Sequence, residues 1–139
     1  MANSEQIILA LDYGDSRIGM ATASVAARLP APSDTLKTSD DSPQEIADYI
    51  EQNHVKALVI GLPRGLDGQE TAQTGIVRAF GAKMAIYTTI PIFYQDEALT
   101  SHKALAELQD RGVRYTKEDV DALAATYILS DFLAAHPEV

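Results

Sequence analysis

Three short apolar runs do most to limit what this chain can fold into: IILAL at 7–11, ALVI at 57–60 and IPIFY at 90–94. Each is nearly continuous rather than alternating, the pattern of a strand covered on both faces. Each also stops abruptly, at Asp12, at Gly61 and at Gln95-Asp96-Glu97. Ligand sites in open α/β sheets lie beyond the carboxyl ends of strands, so chemistry is expected first at these three ends.

The intervening segments complete the layout. Tyr13-Gly14-Asp15-Ser16 reads as a turn, and RIGMATAS as a second strand folding back on the first. LPAPSDTLKT, with Pro30 and Pro32, suits a short edge strand. Ser42-Pro43 is expected to open a helix that runs to about Asn53. Ser42 would be its N-cap, Glu45 would complete a capping box, and Ile46, Tyr49 and Ile50 would form its apolar stripe. Further helices are expected from about Thr71 to Lys83, from about Ser101 to Gln109, and from near Thr116 to about Ala134. A three-strand antiparallel start followed by helix-strand-helix-strand-helix-helix implies an α/β fold. It is a mixed five-stranded sheet, antiparallel then parallel, with helices on both faces. The length suits a single domain over residues 1–139.

Composition removes several classes of function. With no cysteine, disulfides, thiolate metal sites and cysteine nucleophiles are excluded. No apolar stretch approaches the roughly 18 residues of a membrane span. The start, MANSEQ, lacks the basic opening and cleavage site of a secretion signal, so a cytoplasmic protein without a membrane partner is expected. The formal net charge of −9 runs against binding of a phosphate backbone. Many of the acids fall in one stretch, at Asp34, Asp40, Asp41, Glu45, Asp48 and Glu51, which reads as a solvated face turned away from any polyanion. Positive charge returns at Arg111, Arg114 and Lys117, and Arg114 and Lys117 are candidate substrate contacts.

Residues able to carry chemistry are few. Asp12 ends the first run; a carboxylate there is either a turn cap or is paired or metal-bound. Asp96 and Glu97 follow the third run as either a solvated loop or a metal edge, and strand alternation lets only one of them face the same centre as Asp12. Asp121 lies in VDALAATYIL, a helix apolar on nearly every other side. Val120, Leu123, Ala124, Tyr127 and Ile128 are expected to be its most buried stripe. Asp121 either complements the helix dipole or serves a site, whereas Asp119 is placed as a capping acid. GLPRGLDGQETAQT at 61–74 is a glycine-rich entry to a helix without the Gly-Lys-Ser/Thr of a P-loop. It is either a plain connector or an anion-holding turn, with Arg64 free to meet solvent or a phosphate. His54, His102 and His136 show no ligand spacing and read as surface residues.

At these same residues the chain resembles the YqgF-like family, relatives of the RuvC resolvase described as pre-16S ribosomal RNA nucleases or Holliday junction resolvases. ILALDYGDSRIGMATAS is similar to the family's opening hairpin, with Asp12, Gly14, Arg17, Gly19 and Ala21 in place. VIGLPRGLDGQET resembles its Gly-Leu-Pro and Asp-Gly loop, YQDEALTS its Asp-Glu-Arg-Leu-Thr segment, and VDALAATYILSDFL its final helix. The resemblance implies a ribonuclease H-like fold in which Asp12, Glu97 and Asp121 hold Mg²⁺ or Mn²⁺ and carry catalysis. It also implies that Arg17 and Thr100 support the substrate, and that a water activated by the metal cuts a phosphodiester to leave a 5′-phosphate. Two positions depart from the pattern. Ala98 stands where the family has an arginine, and the GVRYTKEDVD approach to the last helix is less basic than the family's.

The function so implied is a nuclease acting on nucleic acid, RNA before branched DNA, in 5′-end maturation of pre-16S ribosomal RNA. Ribosome association and a monomer or homodimer are its expected settings. The competing reading is a module that binds nucleic acid, the ribosome or the transcription machinery with little or no catalysis, favoured by the acidic surface and Ala98 and disfavoured by the intact acids. DYGDSRIGMA also resembles the phosphate loop of the actin and sugar-kinase superfamily, but those enzymes need two lobes and this chain has room for one.

Overall fold

The computed structural model describes residues 5–65, 67–97, 100–112 and 114–139, excluding the side chains of 100–103. Its elements are β1 (Ile7–Tyr13), β2 (Arg17–Ser24), β3 (Ala31–Lys37), α1 (Ser42–Gln52), β4 (Val55–Leu62), α2 (Ala72–Tyr87), β5 (Ile92–Asp96), α3 (Thr100–Arg111) and α4 (Lys117–Ala135). They form one five-stranded sheet in the order β3-β2-β1-β4-β5. β1, β2 and β3 pair antiparallel, while β4 runs parallel to β1 and β5 parallel to β4. This is the mixed sheet expected from the sequence.

Alternation along β1 explains why its run is continuous. Leu9 and Leu11 point to one face, where α1 and α2 supply Ile46, Ile50, Val77, Phe80 and Met84. Ile8 and Ala10 point to the other, where α4 supplies Ala125, Ile128, Leu129 and Phe132. Ile8, Leu9, Leu11, Ile46, Ile128 and Leu129 are fully buried, and each contributes about 2 kcal/mol relative to exposure. The sheet surface under α4 is built largely of small residues, Ala10, Ala21, Ala23 and Ala57, so this helix lies close to the strands. α3 packs on the outer side of α4 through Ala104, Leu108, Leu123 and Ala124. The Tyr127 hydroxyl donates to Glu107, which also pairs with Arg111, and this tightens the same seam.

Three expectations are corrected. Ser42 is not the N-cap of α1. Asp41 holds that position without a side-chain bond, and the buried Ser42 hydroxyl accepts from the Ser39 amide at 2.9 Å. The Glu45 amide is already bonded to the Asp41 carbonyl, so no capping box forms. The third apolar run is not covered on both faces: β5 is the sheet edge, and Tyr94 is 37% exposed. In α4 the deepest stripe runs through Ala125, Ile128, Leu129 and Phe132, while Val120 and Tyr127 are half-buried against α3. A helix gripped by a sheet on one side and a helix on another has two apolar faces, which blurs the periodic signal. The expected capping acid is confirmed: Thr116 and Asp119 form a reciprocal capping box at the start of α4.

Candidate active site

Because β1, β4 and β5 are parallel, their carboxyl ends share one edge of the sheet, with Leu11 beside Ile60 and Leu62 beside Asp96. Two glycines then decide what can gather there. The partner of Asp12 across the β1–β2 ladder is Gly19. A Cβ on Gly19 would stand 2.1 Å from the carbonyl oxygen of Asp121, so the start of α4 rests directly on the β2 backbone beside Asp12. On the other flank, a Cβ on Gly61 would lie 2.8 Å from Oε2 of Glu97 and 2.4 Å from Cδ1 of Ile128. The bare backbone of β4 therefore leaves the passage through which Glu97, just past the end of β5, reaches Asp12. Glycine inside a strand commonly marks such close approach, a signal the sequence carried at both positions.

Asp12 and Glu97 are joined by a hydrogen bond between their carboxyl groups, with Asp121 close enough to repel Asp12. Two carboxyl groups can bond this way only when one carries a proton. Burial is the largest influence and pushes the Asp12 carboxyl up to about 6; the bond from Glu97 pulls it down, and the charge of Asp121 raises it again. Asp121 is held by Arg17, whose Nε donates to Oδ2 at 2.5 Å. Arg17 and Gly19 are two apart on β2 and so share a face, which aims the guanidinium at the helix that Gly19 admits.

The other sequence candidates are placed as follows. Asp96 turns away from Asp12 and pairs with Arg64 at 2.8 Å; its side chain is 66% exposed. Arg64 is thus engaged by Asp96 and by the Gly68 carbonyl at 3.3 Å. The glycine-rich loop closes on itself: the Gly65 amide donates to the Gln69 carbonyl, and the Gly68 amide to the Gly65 carbonyl. Those amides are spent inside the turn, as in a connector. Arg114 and Lys117 are exposed at the entry to α4. Thr100 begins α3, but its side chain, like Ala98, lies outside the described residues. His54 is exposed, while His136 is half-buried and stacks on Phe132 at 4.3 Å between ring centroids, correcting its reading as a plain surface residue. The His102 side chain is not among those described.

Sequence reasoning missed a groove of about 460 Å³ between α3 and the start of α4. It is lined by Arg17, Leu105, Tyr115, Thr116, Lys117, Val120 and Asp121, so it shares a wall with the acids. Among the described residues, no group of three or more acidic or histidine side chains is already arranged to hold a metal ion. Asp12 and Glu97 are the closed pair, and Asp121 is drawn to Arg17.

The family model described as "RuvX: Holliday junction resolvase" matches residues 6–135. The chain belongs to the RuvX family. Its RuvX-family character extends to curated relatives that carry the name "Putative pre-16S rRNA nuclease". The one from Chloroflexus aggregans is 35% identical over 136 residues, covering 95% of this chain and 96% of the relative. That from Nitratidesulfovibrio vulgaris is 36% identical over 134 residues, covering 94% of each. Among solved structures, Thermus thermophilus RuvC in complex with a Holliday junction substrate superposes with a TM-score of 0.59 at 14% identity, over 96% of each chain. The fold of this RuvX-family chain is therefore ribonuclease H-like, and the enzyme class is that of a hydrolase, a nuclease. No helix among the described residues is long and apolar enough to cross a membrane.

Proposed function

We propose that this RuvX-family chain is a metal-dependent endonuclease that cuts RNA in the cytoplasm, in 5′-end maturation of pre-16S ribosomal RNA. The observation that carries the reading is the hydrogen-bonded Asp12–Glu97 carboxyl pair with Asp121 beside it, at the ends of parallel strands. Two acids forced to share a proton are a natural position for a divalent cation, which relieves their repulsion more fully than the proton does. The donors suit a hard ion: all are oxygens, as Mg²⁺ or Mn²⁺ prefers. Asp12 and Glu97 would hold it, with Asp121 joining as Arg17 is drawn off. When bound, such an ion supplies Lewis acidity toward a phosphoryl oxygen and toward the attacking water.

The chain's own residues do the rest. Arg17 has N–H donors beyond the one given to Asp121, and they can take a substrate phosphate. A phosphate that competes for Arg17 frees Asp121, so substrate and metal would support each other. Lys117 and Arg114 at the α4 entry offer further positive charge on an acidic molecule. The reaction is hydrolysis: the water oxygen bonds to phosphorus, and the bond from phosphorus to the O3′ oxygen of the preceding nucleotide breaks. O3′ leaves as a hydroxyl with a proton from the water, and the following nucleotide keeps a 5′-phosphate. The names of the curated relatives support RNA as substrate; the family description supports a four-way DNA junction as the second candidate, which would require a dimer matched to the junction's symmetry.

The test is incubation of the purified protein with labelled single-stranded RNA, precursor ribosomal RNA 5′ ends and a four-way DNA junction. Each is run with Mg²⁺, Mn²⁺ or EDTA, alongside Asp12→Asn. Cutting of the RNA that needs metal and is lost in the variant is expected. Preferred cutting of the junction would move the substrate to DNA, and binding without cutting in any metal would leave a binding module.

A further inference from the structure

The groove between α3 and α4 has a composition unlike that of a phosphate channel. Leu105 and Val120 form a half-buried apolar floor, and Tyr115 stands beside them 38% exposed. Its positive charge comes from Arg17 and Lys117. Its inner wall is Asp121, held by Arg17 at 2.5 Å. An apolar floor, one accessible aromatic ring and flanking cations are what a nucleobase with its own phosphates requires: the ring stacks, the cations neutralise. The volume, about 460 Å³, is within the range of small-ligand pockets. Tyr115 is loosely tethered, its hydroxyl accepting from Gln109 Nε2 at 3.4 Å, so the ring can adjust to a base.

We infer that this groove receives one unpaired nucleobase next to the cleaved phosphodiester, with Tyr115 as its stacking partner, and that it selects single-stranded over fully paired nucleic acid. The inference rests on the reading above that the phosphodiester is cut at the Asp12, Glu97 and Asp121 acids. A base inside a duplex is stacked on both faces and paired along its edge, so it enters such a groove only after leaving the helix. A base in a single strand has no partner to give up. Arg17 and Lys117 hold the phosphates either side of that base and do not read its identity, so the site chooses by strandedness more than by sequence.

The experiment measures binding of short fluorescent RNA in EDTA, so that no strand is cut. One series of strands lacks a single base at each successive position, and a matched duplex is included. The strands are trinucleotides, in which only the middle base has a phosphate on each side and no register shift can replace it. In the native chain, loss of that base, or of one of two neighbouring bases, should therefore weaken binding about tenfold. Tyr115→Ala should weaken binding of the intact strand by a similar factor, and base removal at that position should then cost nothing further. Tyr115→Phe keeps the ring and should bind as the native chain does. The duplex should bind the native chain no better than the single strand binds Tyr115→Ala. Additive losses, absence of any sensitive position, equal affinity for duplex and single strand, or no binding at all would each overturn the base site. Cleavage assayed in parallel with Mg²⁺ separates the two readings. RNA bound with the base signature but never cut removes the nuclease reading and leaves the base site. RNA cut without base dependence does the reverse.

Discussion

Gly19 of β2 touches the backbone of Asp121: the place of its missing Cβ lies 2.1 Å from the Asp121 carbonyl oxygen and 2.3 Å from the carbonyl carbon. Backbone cannot swing aside as a flexible side chain can. Gly19→Ala is therefore expected to push the start of α4 off the sheet, at a cost of about 1–3 kcal/mol in stability. The same displacement carries Asp121 away from Asp12, so cleavage should fall further than stability does. Chemical denaturation together with a cleavage assay at a temperature where the variant is folded would check this. An alanine variant as stable and as active as the native chain would show that α4 has slack here.

Asp12→Asn should change the pH dependence of stability. The folded chain holds the Asp12 proton more tightly than the unfolded chain, about 6 against 3.8. The stabilisation this provides is full below about pH 4 and is lost as pH rises through about 6. Asparagine mimics the protonated acid and does not titrate. In metal-free buffer the variant should match the native chain near pH 4 and exceed it at pH 8, by at most about 3 kcal/mol. Thermal melting across that range is the measurement, and equal curves at pH 8 would mean Asp12 is not strained by ionisation.

Protons and metal should compete for the same pair of acids. Mg²⁺ or Mn²⁺ is expected to raise the melting temperature at pH 8 and to do so much less at pH 5, where Asp12 keeps its proton. EDTA should reverse the rise. A shift that is the same at both pH values would place the ion elsewhere.

Arg17→Gln removes the partner of Asp121 and leaves three acids to repel each other. Without metal the variant should melt lower than the native chain. With Asp121 released, Mn²⁺ affinity should rise, by up to about tenfold, while RNA affinity falls. Titration calorimetry of Mn²⁺ into each protein decides it; weaker metal binding in Arg17→Gln would mean Arg17 orients Asp121 rather than withholding it.

The strands were legible because their burial is a local property of the chain. Continuous apolar runs marked β1 and β4, and the Pro-containing stretch marked the edge strand β3. Strand alternation lets only one of Asp96 and Glu97 face Asp12, the resemblance points to Glu97, and in the structure Glu97 meets Asp12 while Asp96 pairs with Arg64. What stayed hidden depends on distant segments. Nothing local tells that Arg64 is taken by Asp96, or that the Ser42 hydroxyl looks back to Ser39 rather than forward to Glu45. Tyr115 carries no local signal, because an aromatic residue between loop cations is ordinary until Leu105 and Val120 are found lining the same groove. The half-buried His136 looks like a surface residue in the sequence because its stacking partner, Phe132, is one turn back on a helix with two apolar faces.

The contact of Gly19 with Asp121 has a consequence in time as well as in space. The Arg17–Asp121 pair joins positions 104 residues apart, and Arg28, just past β2, grips the far end of α4 through the carbonyls of Leu133, His136 and Val139. β2 and α4 are thus riveted at both ends, although one is made early during translation and the other late. An emerging polypeptide that has exposed Asp12 and Glu97 still lacks α4, and with it the cover over Ile8, Ala10, Ala21 and Val59. Asp121 comes beside the Asp12–Glu97 pair only when that cover closes, so a ribosome-bound fragment ending before Lys117 should cut nothing; an active fragment of that length would show that α4 is dispensable. Folding itself would then act as the safety catch of an enzyme synthesised beside a vast excess of RNA.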